Sequence, residues 1–203
     1  MLTVSEIITK VGCEYYGNKF SLDIEGRREI YKETYENIYN SLSGSGKGVG
    51  LIGNVGFGKT ACLKIMQKLF TDTNRRFKFV SASAVMDMVV NGDELDAIKE
   101  ECLCGEVKGD IMIDDIGLGA AVFKNYGNDV NIIGKILLYR YELFVNQGIL
   151  THFTSNKYID LTDAQKILNP NYVSLTNLYG DRVIDRLKEM SNIIVCKGKS
   201  LRS

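Results

Sequence analysis

One short stretch constrains this chain more than any other: GNVGFGKT, from Gly53 to Thr60. Glycine loses more conformational entropy on folding than any other residue, so three glycines among these eight residues need a compensating role. The stretch fits the pattern G-x-x-x-x-G-K-[ST], whose backbone curls around a phosphate group that side chains would exclude. An apolar run, GVGLIG, leads into it and a helical pattern, TACLKIMQKLF, follows, which is the context that the motif requires.

The residue types in this loop predict a site for a nucleoside triphosphate with Mg²⁺. Main-chain N–H groups of the loop and of the helix start form an anion cradle, which the helix dipole strengthens. Lys59 supplies a positive charge for the β- and γ-phosphates, and Thr60 supplies a hydroxyl ligand for Mg²⁺. A glycine-rich turn is the alternative, but a turn does not require lysine and threonine at that offset. The predicted nucleotide-binding residues are Gly53, Asn54, Val55, Gly56, Phe57, Gly58, Lys59, Thr60 and Ala61.

Two adjacent carboxylates end a second apolar run, DIMIDD. In a protein with a phosphate loop, Asp114 would hold Mg²⁺, and Asp115 would orient and deprotonate the attacking water. A solvated turn is the alternative, which the phosphate loop in the same chain makes the weaker one. A third apolar run ends in Thr154, Ser155 and Asn156. If its strand lies between the other two, Asn156 points at the γ-phosphate and helps to hold the water.

Strand and helix patterns alternate after residue 47, which predicts a parallel sheet with helices on both faces. Residues 1–47 contain an amphipathic helix, roughly Glu25 to Leu42, and a Gly/Ser linker, so we expect the nucleotide-binding domain to span 48–203. A long helix should end at Gly148, and TNLYGDRVIDRLKEM should form another. His152 is expected to pack or hydrogen-bond in the core.

Composition excludes several classes of protein. Lys plus Arg and Asp plus Glu number 25 each, so a single chain should bind DNA weakly. Five scattered cysteines and one histidine argue against both a disulfide framework and a zinc site. No signal-like or membrane-length apolar run occurs, so we expect a reduced, cytoplasmic protein that does not engage a membrane.

Two arginines four residues apart, Arg182 and Arg186, share one face of a predicted helix. An exposed, ion-paired helix is one interpretation, because Asp181 and Asp185 lie beside them. The other is an arginine that completes the active site of a neighbouring subunit.

Together, GNVGFGKT, IMIDDIG, THFTSN and YGDRVIDRL resemble the AAA+ ATPases of the bacterial helicase-loader family, from about Gly48 to the C-terminus. That family includes the DnaC and DnaI loaders and the related IstB transposition helper. The resemblance implies a P-loop NTPase with a five-stranded parallel sheet in a three-layer sandwich, and ATP bound between subunits of a ring or spiral. The resemblance makes Asn156 a sensor of the γ-phosphate. Arg186 is the first candidate, and Arg182 the second, for the arginine finger that completes the active site of a neighbouring subunit. Arg202 is the candidate for a second sensor, an arginine that also contacts the nucleotide.

The resemblance also implies a role in DNA replication, with a replicative helicase and single-stranded DNA as partners. The alternatives are an IstB-like transposition helper, a P-loop kinase for a small molecule, and a nucleotide-gated binding module without hydrolysis. No arginine-rich lid is evident for a kinase, and Asp115 and Asn156 argue against a module that does not hydrolyse. The polar piece FKNYGNDVN, between the aspartates and the long helix, is either a partner or DNA contact or a surface insertion.

Overall fold

A computed structural model describes residues 2–24, 26–44, 46–90, 109–118, 122–125, 128–162, 167 and 170–197. Five strands form a parallel sheet in the order β2-β3-β6-β1-β7. Their bounds are β1 Gly48–Gly53, β2 Phe77–Ser81, β3 Asp110–Asp114, β6 Thr151–Ser155 and β7 Ser191–Cys196. The predicted α/β fold with a five-stranded parallel sheet is therefore confirmed.

Helices cover both faces of the sheet and complete the three-layer sandwich. One face carries α1, α2 and α3, which are Val4–Tyr16, Arg27–Asn40 and Lys59–Leu69. The opposite face carries α4, α5, α6 and α7, which are Ala82–Val90, Ile132–Gln147, Leu175–Tyr179 and Asp181–Met190. Side chains alternate between the two layers along β1, since Val49 and Leu51 pack in the first cluster and Ile52 in the second. Every residue of β1 is buried, as expected for a parallel strand covered on both faces.

The N-terminal region contains two helices where the sequence analysis predicted one. Helix α1 begins at a capping box in which Thr3 and Glu6 satisfy each other's backbone N–H groups. Both helices join the hydrophobic cluster that contains β1 and α3, with Ile8 and Ile38 fully buried. The predicted domain boundary between residues 47 and 48 stays a prediction. One hydrophobic cluster extends across this boundary and includes residues of α1, α2, β1 and α3.

Three other elements differ from the sequence interpretation. The helix predicted over TNLYGDRVIDRLKEM is two helices, because Gly180 adopts φ 81° and ψ 159° and interrupts it. The polar piece after the aspartates contains an antiparallel pair, β4 Val122–Asn125 with β5 Asn128–Asn131. The sequence from Ala84 to Cys104 has a mostly helical pattern that predicts a break near Asn91 and Gly92. The observed helix begins earlier, at Ala82, and residues 91–104 lie outside the described residues.

His152 lies in the middle of the sheet and is fully buried. Its Nδ1 accepts a hydrogen bond of 3.2 Å from the backbone N–H of Val49, and its ring lies 4.6 Å from the ring of Phe77. Burial, together with the positive charges of Arg140 and Arg75, lowers the pKa of His152 to about 3. The prediction of a core histidine is confirmed.

The neutral state of His152 predicts a specific dependence of stability on pH. The unfolded chain takes up a proton below pH about 6.5 while the folded chain does not until about pH 3, so the free energy of unfolding falls as pH falls through this window. His152→Asn keeps an acceptor near Nδ1 and removes the titration. We expect wild type to lose about 1 kcal/mol more than this variant per pH unit between pH 6 and 5 in urea unfolding. Equal slopes would contradict the assignment.

Gly53 closes β1 where the strand runs against β7. Its φ is +128°, and a Cβ built there would lie 2.3 Å from the carbonyl oxygen of Cys196. Gly44 is a matched control, because it also has positive φ, +89°, but no atom within 4 Å of the added Cβ. We expect Gly53→Ala to lower the free energy of unfolding by about 1–3 kcal/mol more than Gly44→Ala in urea titrations. Equal losses would show that β7 does not approach β1 this closely.

Candidate nucleotide-binding site

Three strand ends meet at the phosphate loop. Strand β6 lies between β1 and β3, as the sequence analysis required for Asn156 to reach the site. The carboxyl ends of parallel strands share one edge of the sheet, where ligands bind in open α/β folds. This edge brings together Lys59 and Thr60 after β1, Asp114 and Asp115 at β3, and Asn156 after β6.

Lys59 is the first residue of α3, and its ammonium group is bound by three oxygens of the chain. It donates to the carbonyl oxygens of Gly53 at 2.9 Å and Asn54 at 2.7 Å, and to Asn156 Oδ1 at 2.7 Å. Only 6% of the residue is exposed. Burial lowers the pKa of Lys59, while the negative charges of Asp115 and Asp114 oppose that shift. The ammonium group is therefore held where the loop surrounds it.

Thr60 and Asp114 form the pair that can hold a magnesium ion. The Thr60 hydroxyl donates to Asp114 Oδ1 at 2.8 Å, across the gap between α3 and β3. The Thr154 hydroxyl donates to the same oxygen at 2.6 Å and fixes the orientation of the carboxylate. A hydroxyl and a carboxylate oxygen are ligands that Mg²⁺ prefers, and water and phosphate oxygens commonly supply the others.

Asp115 is held in an unusual backbone conformation. Among the described residues other than glycine it alone has positive φ, at 63°, a value that costs conformational energy. Its N–H donates to Thr154 Oγ1 at 2.8 Å, and its Oδ1 accepts from Asn156 Nδ2 at 2.6 Å. These contacts place the second carboxylate of β3 beside Asn156. The amide of Asn156 thus joins the ammonium group of Lys59 to the carboxylate of Asp115.

Helix α2 supports the phosphate loop from inside the molecule, which the sequence analysis did not predict. The Tyr31 hydroxyl donates to the carbonyl oxygen of Gly58 at 2.9 Å, and Arg27 Nη2 donates to that of Phe57 at 3.1 Å. The Phe57 side chain is itself buried in the cluster beneath the loop, so only its backbone faces the site. Tyr31 lies on the buried face of this amphipathic helix, and its hydroxyl adds the contact to the loop.

Other hydrogen bonds fix the loops around the cradle. The Tyr158 hydroxyl donates to Asn54 Oδ1 at 3.1 Å, and Ser155 Oγ donates to the Ile116 carbonyl at 2.6 Å. The Tyr179 hydroxyl accepts from the N–H of Gly117 at 2.7 Å, and burial raises the pKa of Tyr179 to about 12. Tyr179 therefore stays protonated at neutral pH.

A cavity of about 380 Å³ occupies this end of the sheet. Residues of the glycine loop and of the start of α3 form one wall, and polar residues after β3 and at the end of β6 form the other. Its lining contains one ammonium group and one carboxylate, and a second carboxylate, Asp114, is bonded to the lining residue Thr60. Such a space suits a phosphorylated ligand with a divalent cation. The residues that line it are Tyr16, Val55, Gly56, Gly58, Lys59, Thr60, Ala61, Asp115, Thr154 and Asn156.

The predicted arginines lie elsewhere. Arg186 is on α7, where its guanidinium carbon lies 4.4 Å from the ring centre of Tyr141 and Nη1 lies 3.4 Å from Glu189 Oε2. Arg182 is exposed on the same helix, and neither arginine is among the described residues that line the cavity. Arg202 lies outside the described residues. All three roles stay predictions.

No group of three or more His, Cys, Asp and Glu residues in the described part of the chain could hold a metal ion. None of the helices described is both long and apolar enough to span a bilayer.

Comparison with known proteins yields structural likenesses alone. No protein-family model and no curated protein matches the sequence. The DnaI structure has a TM-score of 0.57 and 20% identity, covering 97% of this chain and 96% of that one. The DnaC helicase loader has a TM-score of 0.56 and 16% identity, covering 91% and 99%. A candidate primosome component from Streptococcus pyogenes serotype M3 has a TM-score of 0.55 and 14% identity, covering 98% and 99%.

These likenesses extend over nearly the whole of each chain, so they concern the complete arrangement of helices and sheet. At identities of 14–20% they establish the fold. The predicted resemblance is confirmed at that level: this chain is similar in fold to the DnaC helicase loader and to DnaI.

Proposed function

We propose that this protein binds ATP with Mg²⁺ and hydrolyses it, as an AAA+ assembly factor of the helicase-loader or primosome type in DNA replication. The observation that carries the proposal is the set of contacts from Lys59 through Asn156 to Asp115, next to the Thr60–Asp114 pair. The structures of a DnaC helicase loader and DnaI, which share the fold, favour replication over a transposition helper.

Binding of the triphosphate begins with an exchange of partners at Lys59. Its ammonium group leaves the carbonyls of Gly53 and Asn54 for the β- and γ-phosphate oxygens, which carry full negative charge. The N–H groups of the loop then surround the phosphates, and the N-terminus of α3 adds its dipole. Because α2 holds the Phe57 and Gly58 carbonyls on the inner side, the loop keeps its N–H groups directed outward.

Thr60 and Asp114 would hold the magnesium ion, giving up their mutual hydrogen bond. When bound there, Mg²⁺ neutralises the charge that develops on the phosphates. Thr154 keeps its hydrogen bond to Asp114 and so preserves the orientation of the carboxylate.

Hydrolysis then depends on Asp115 and Asn156. Once Lys59 has moved to the phosphates, Asn156 Oδ1 has lost its ammonium donor and can accept a hydrogen bond from the attacking water. Its Nδ2 remains on Asp115, which lies beside that water and takes its proton. Asn156 thereby ties the position of the water to the presence of the γ-phosphate.

An arginine from a neighbouring subunit would complete the site. Arg186 is the first candidate and Arg182 the second. In the single chain the guanidinium group of Arg186 rests on Tyr141 and Glu189, and both contacts are at least partly exposed to solvent. Exposed pairs of this kind are weak, so a phosphate presented by a neighbour can displace them. We further propose that this protein has a replicative helicase and single-stranded DNA as its binding partners.

Asp115→Asn is the variant that separates binding from hydrolysis. Asparagine tolerates the positive φ at this position, so the loop should keep its conformation. We expect ATP affinity close to wild type and a loss of about 100-fold or more in inorganic phosphate release. Lys59→Ala should abolish ATP binding in isothermal titration calorimetry. Unchanged phosphate release by Asp115→Asn would contradict the assignment of the base.

The same assay distinguishes the kinase alternative. A kinase would transfer phosphate to a metabolite and release inorganic phosphate only slowly without one. We expect phosphate release from ATP and water alone, and phosphate transfer to an added metabolite would reverse the assignment.

Arg186→Ala tests completion of the site by a neighbour. We expect the variant to bind ATP as wild type does, and to lose the rise in turnover per subunit that wild type shows with increasing protein concentration. A finger of this kind contributes about 1,000-fold or more in the best-studied cases. Arg182→Ala reports on the second candidate.

Arg28→Ala is the matched control, because Arg28 is an exposed arginine on α2 paired with Asp23. It should leave turnover unchanged at every concentration. Thermal melting of each variant shows whether it folds. If Arg186→Ala and wild type had the same turnover at every concentration, Arg186 would not be the finger.

A further inference from the structure

The cavity at the phosphate loop reaches beyond the groups that bind phosphate. Its lining combines the polar groups of Lys59, Thr60 and Asp115 with the side chain of Tyr16, the last residue of α1. The proposed function uses the polar groups alone. A bound nucleotide also carries a sugar and a planar base, and these must occupy the space that the phosphates leave.

Tyr16 presents an aromatic ring to that space. The residue is 38% exposed and lines the cavity together with Val55 and Ala61. Burial raises the pKa of its hydroxyl, and the negative charge of Asp114 adds to this shift. The hydroxyl is thus neutral at physiological pH and lies within electrostatic range of Asp114.

Other aromatic rings fix the position of the Tyr16 ring. It stacks on Phe20 with a centroid distance of 6.4 Å and an interplanar angle of 23°. Phe20 in turn lies 6.0 Å from Tyr31, whose hydroxyl is bound to the Gly58 carbonyl of the phosphate loop. At Gly12 of α1 a Cβ would lie 2.2 Å from the Phe20 ring, so the helix is seated closely on Phe20. A continuous set of contacts therefore ties Tyr16 to the loop.

We propose that Tyr16 binds the nucleoside half of the nucleotide, with its ring stacked on the base. This inference rests on the proposed function, because it takes the phosphates to lie at Lys59 and Thr60. A preformed ring in the wall of the cavity is an efficient partner for a base, since little side-chain entropy is lost. Stacking uses the face that every base has, so Tyr16 contributes affinity with little discrimination between ATP and GTP.

The experiment compares two ligands that differ only in the nucleoside. ATP carries a base, and inorganic tripolyphosphate carries the phosphate chain alone, both in the presence of Mg²⁺. We expect Tyr16→Ala to weaken ATP binding by about tenfold and to leave tripolyphosphate binding unchanged. Tyr16→Phe, which keeps the ring, should bind ATP nearly as wild type does. GTP should lose affinity in Tyr16→Ala by a similar factor.

Two further variants make the result interpretable. Lys59→Ala should lose both ligands, which identifies the phosphate end of the site. Tyr39→Ala removes a tyrosine that is 55% exposed on α2 and stacked on Tyr35, and it should change neither affinity. Calorimetric titration measures all the affinities, and thermal melting shows that each variant is folded.

The outcomes separate the inference from the proposed function. Tyr16→Ala with unchanged ATP affinity overturns the inference alone. Tighter ATP binding by Tyr16→Ala also overturns it, because Tyr16 would then be a plug that the nucleotide must displace. Equal losses for ATP and tripolyphosphate overturn it too, since the effect would come from the loop and not from the base. If wild type binds neither ligand, the proposed function and the inference both fail.

Discussion

A single buried ammonium group is the constraint on which the rest of the site depends. Lys59 carries it at the start of α3, and burial without partners would be costly for a charge. Its three oxygen partners come from the loop after β1 and from Asn156 after β6. The loop must curl back on itself, and β6 must lie next to β1, for these bonds to form. A phosphate chain is the natural replacement, because it offers the ammonium group oxygens with full negative charge.

The position of the loop is set from the opposite side as well. Phe57 enters the core, Tyr31 and Arg27 hold adjacent loop carbonyls, and α1 packs over the same cluster. The N-terminal helices are therefore part of the scaffold that shapes the cradle. At the outer side, Asn156 connects the ammonium group to Asp115, so the groups proposed for binding and for hydrolysis share one amide. Rigid support beneath the loop and hydrogen bonds that can be exchanged above it suit a site that must take up and release a nucleotide.

Local patterns in the sequence predicted the parts of the molecule that local physics determines. The phosphate loop, the paired aspartates of β3 and the polar end of β6 each follow an apolar run, and the fold places them together. The hydrogen bonds from Arg27 and Tyr31 to the phosphate loop were not predicted, because their partners lie 30 and 27 residues away along the chain. In the sequence of α2 alone, nothing distinguishes these two residues from others that pack against the core. The positive φ of Asp115 accompanies a tertiary hydrogen bond from its N–H to Thr154, which no short window of sequence contains.

The most direct test of the central claim is a crystal structure with Mg²⁺ and a non-hydrolysable ATP analogue. We expect Lys59 Nζ to have left the Gly53 and Asn54 carbonyls for the β- and γ-phosphate oxygens, with the metal between Thr60 and Asp114. We also expect Asn156 to remain within hydrogen-bonding distance of Asp115. An analogue bound elsewhere, or a cradle in which Lys59 still donates to its own loop beside an ordered triphosphate, would contradict the claim.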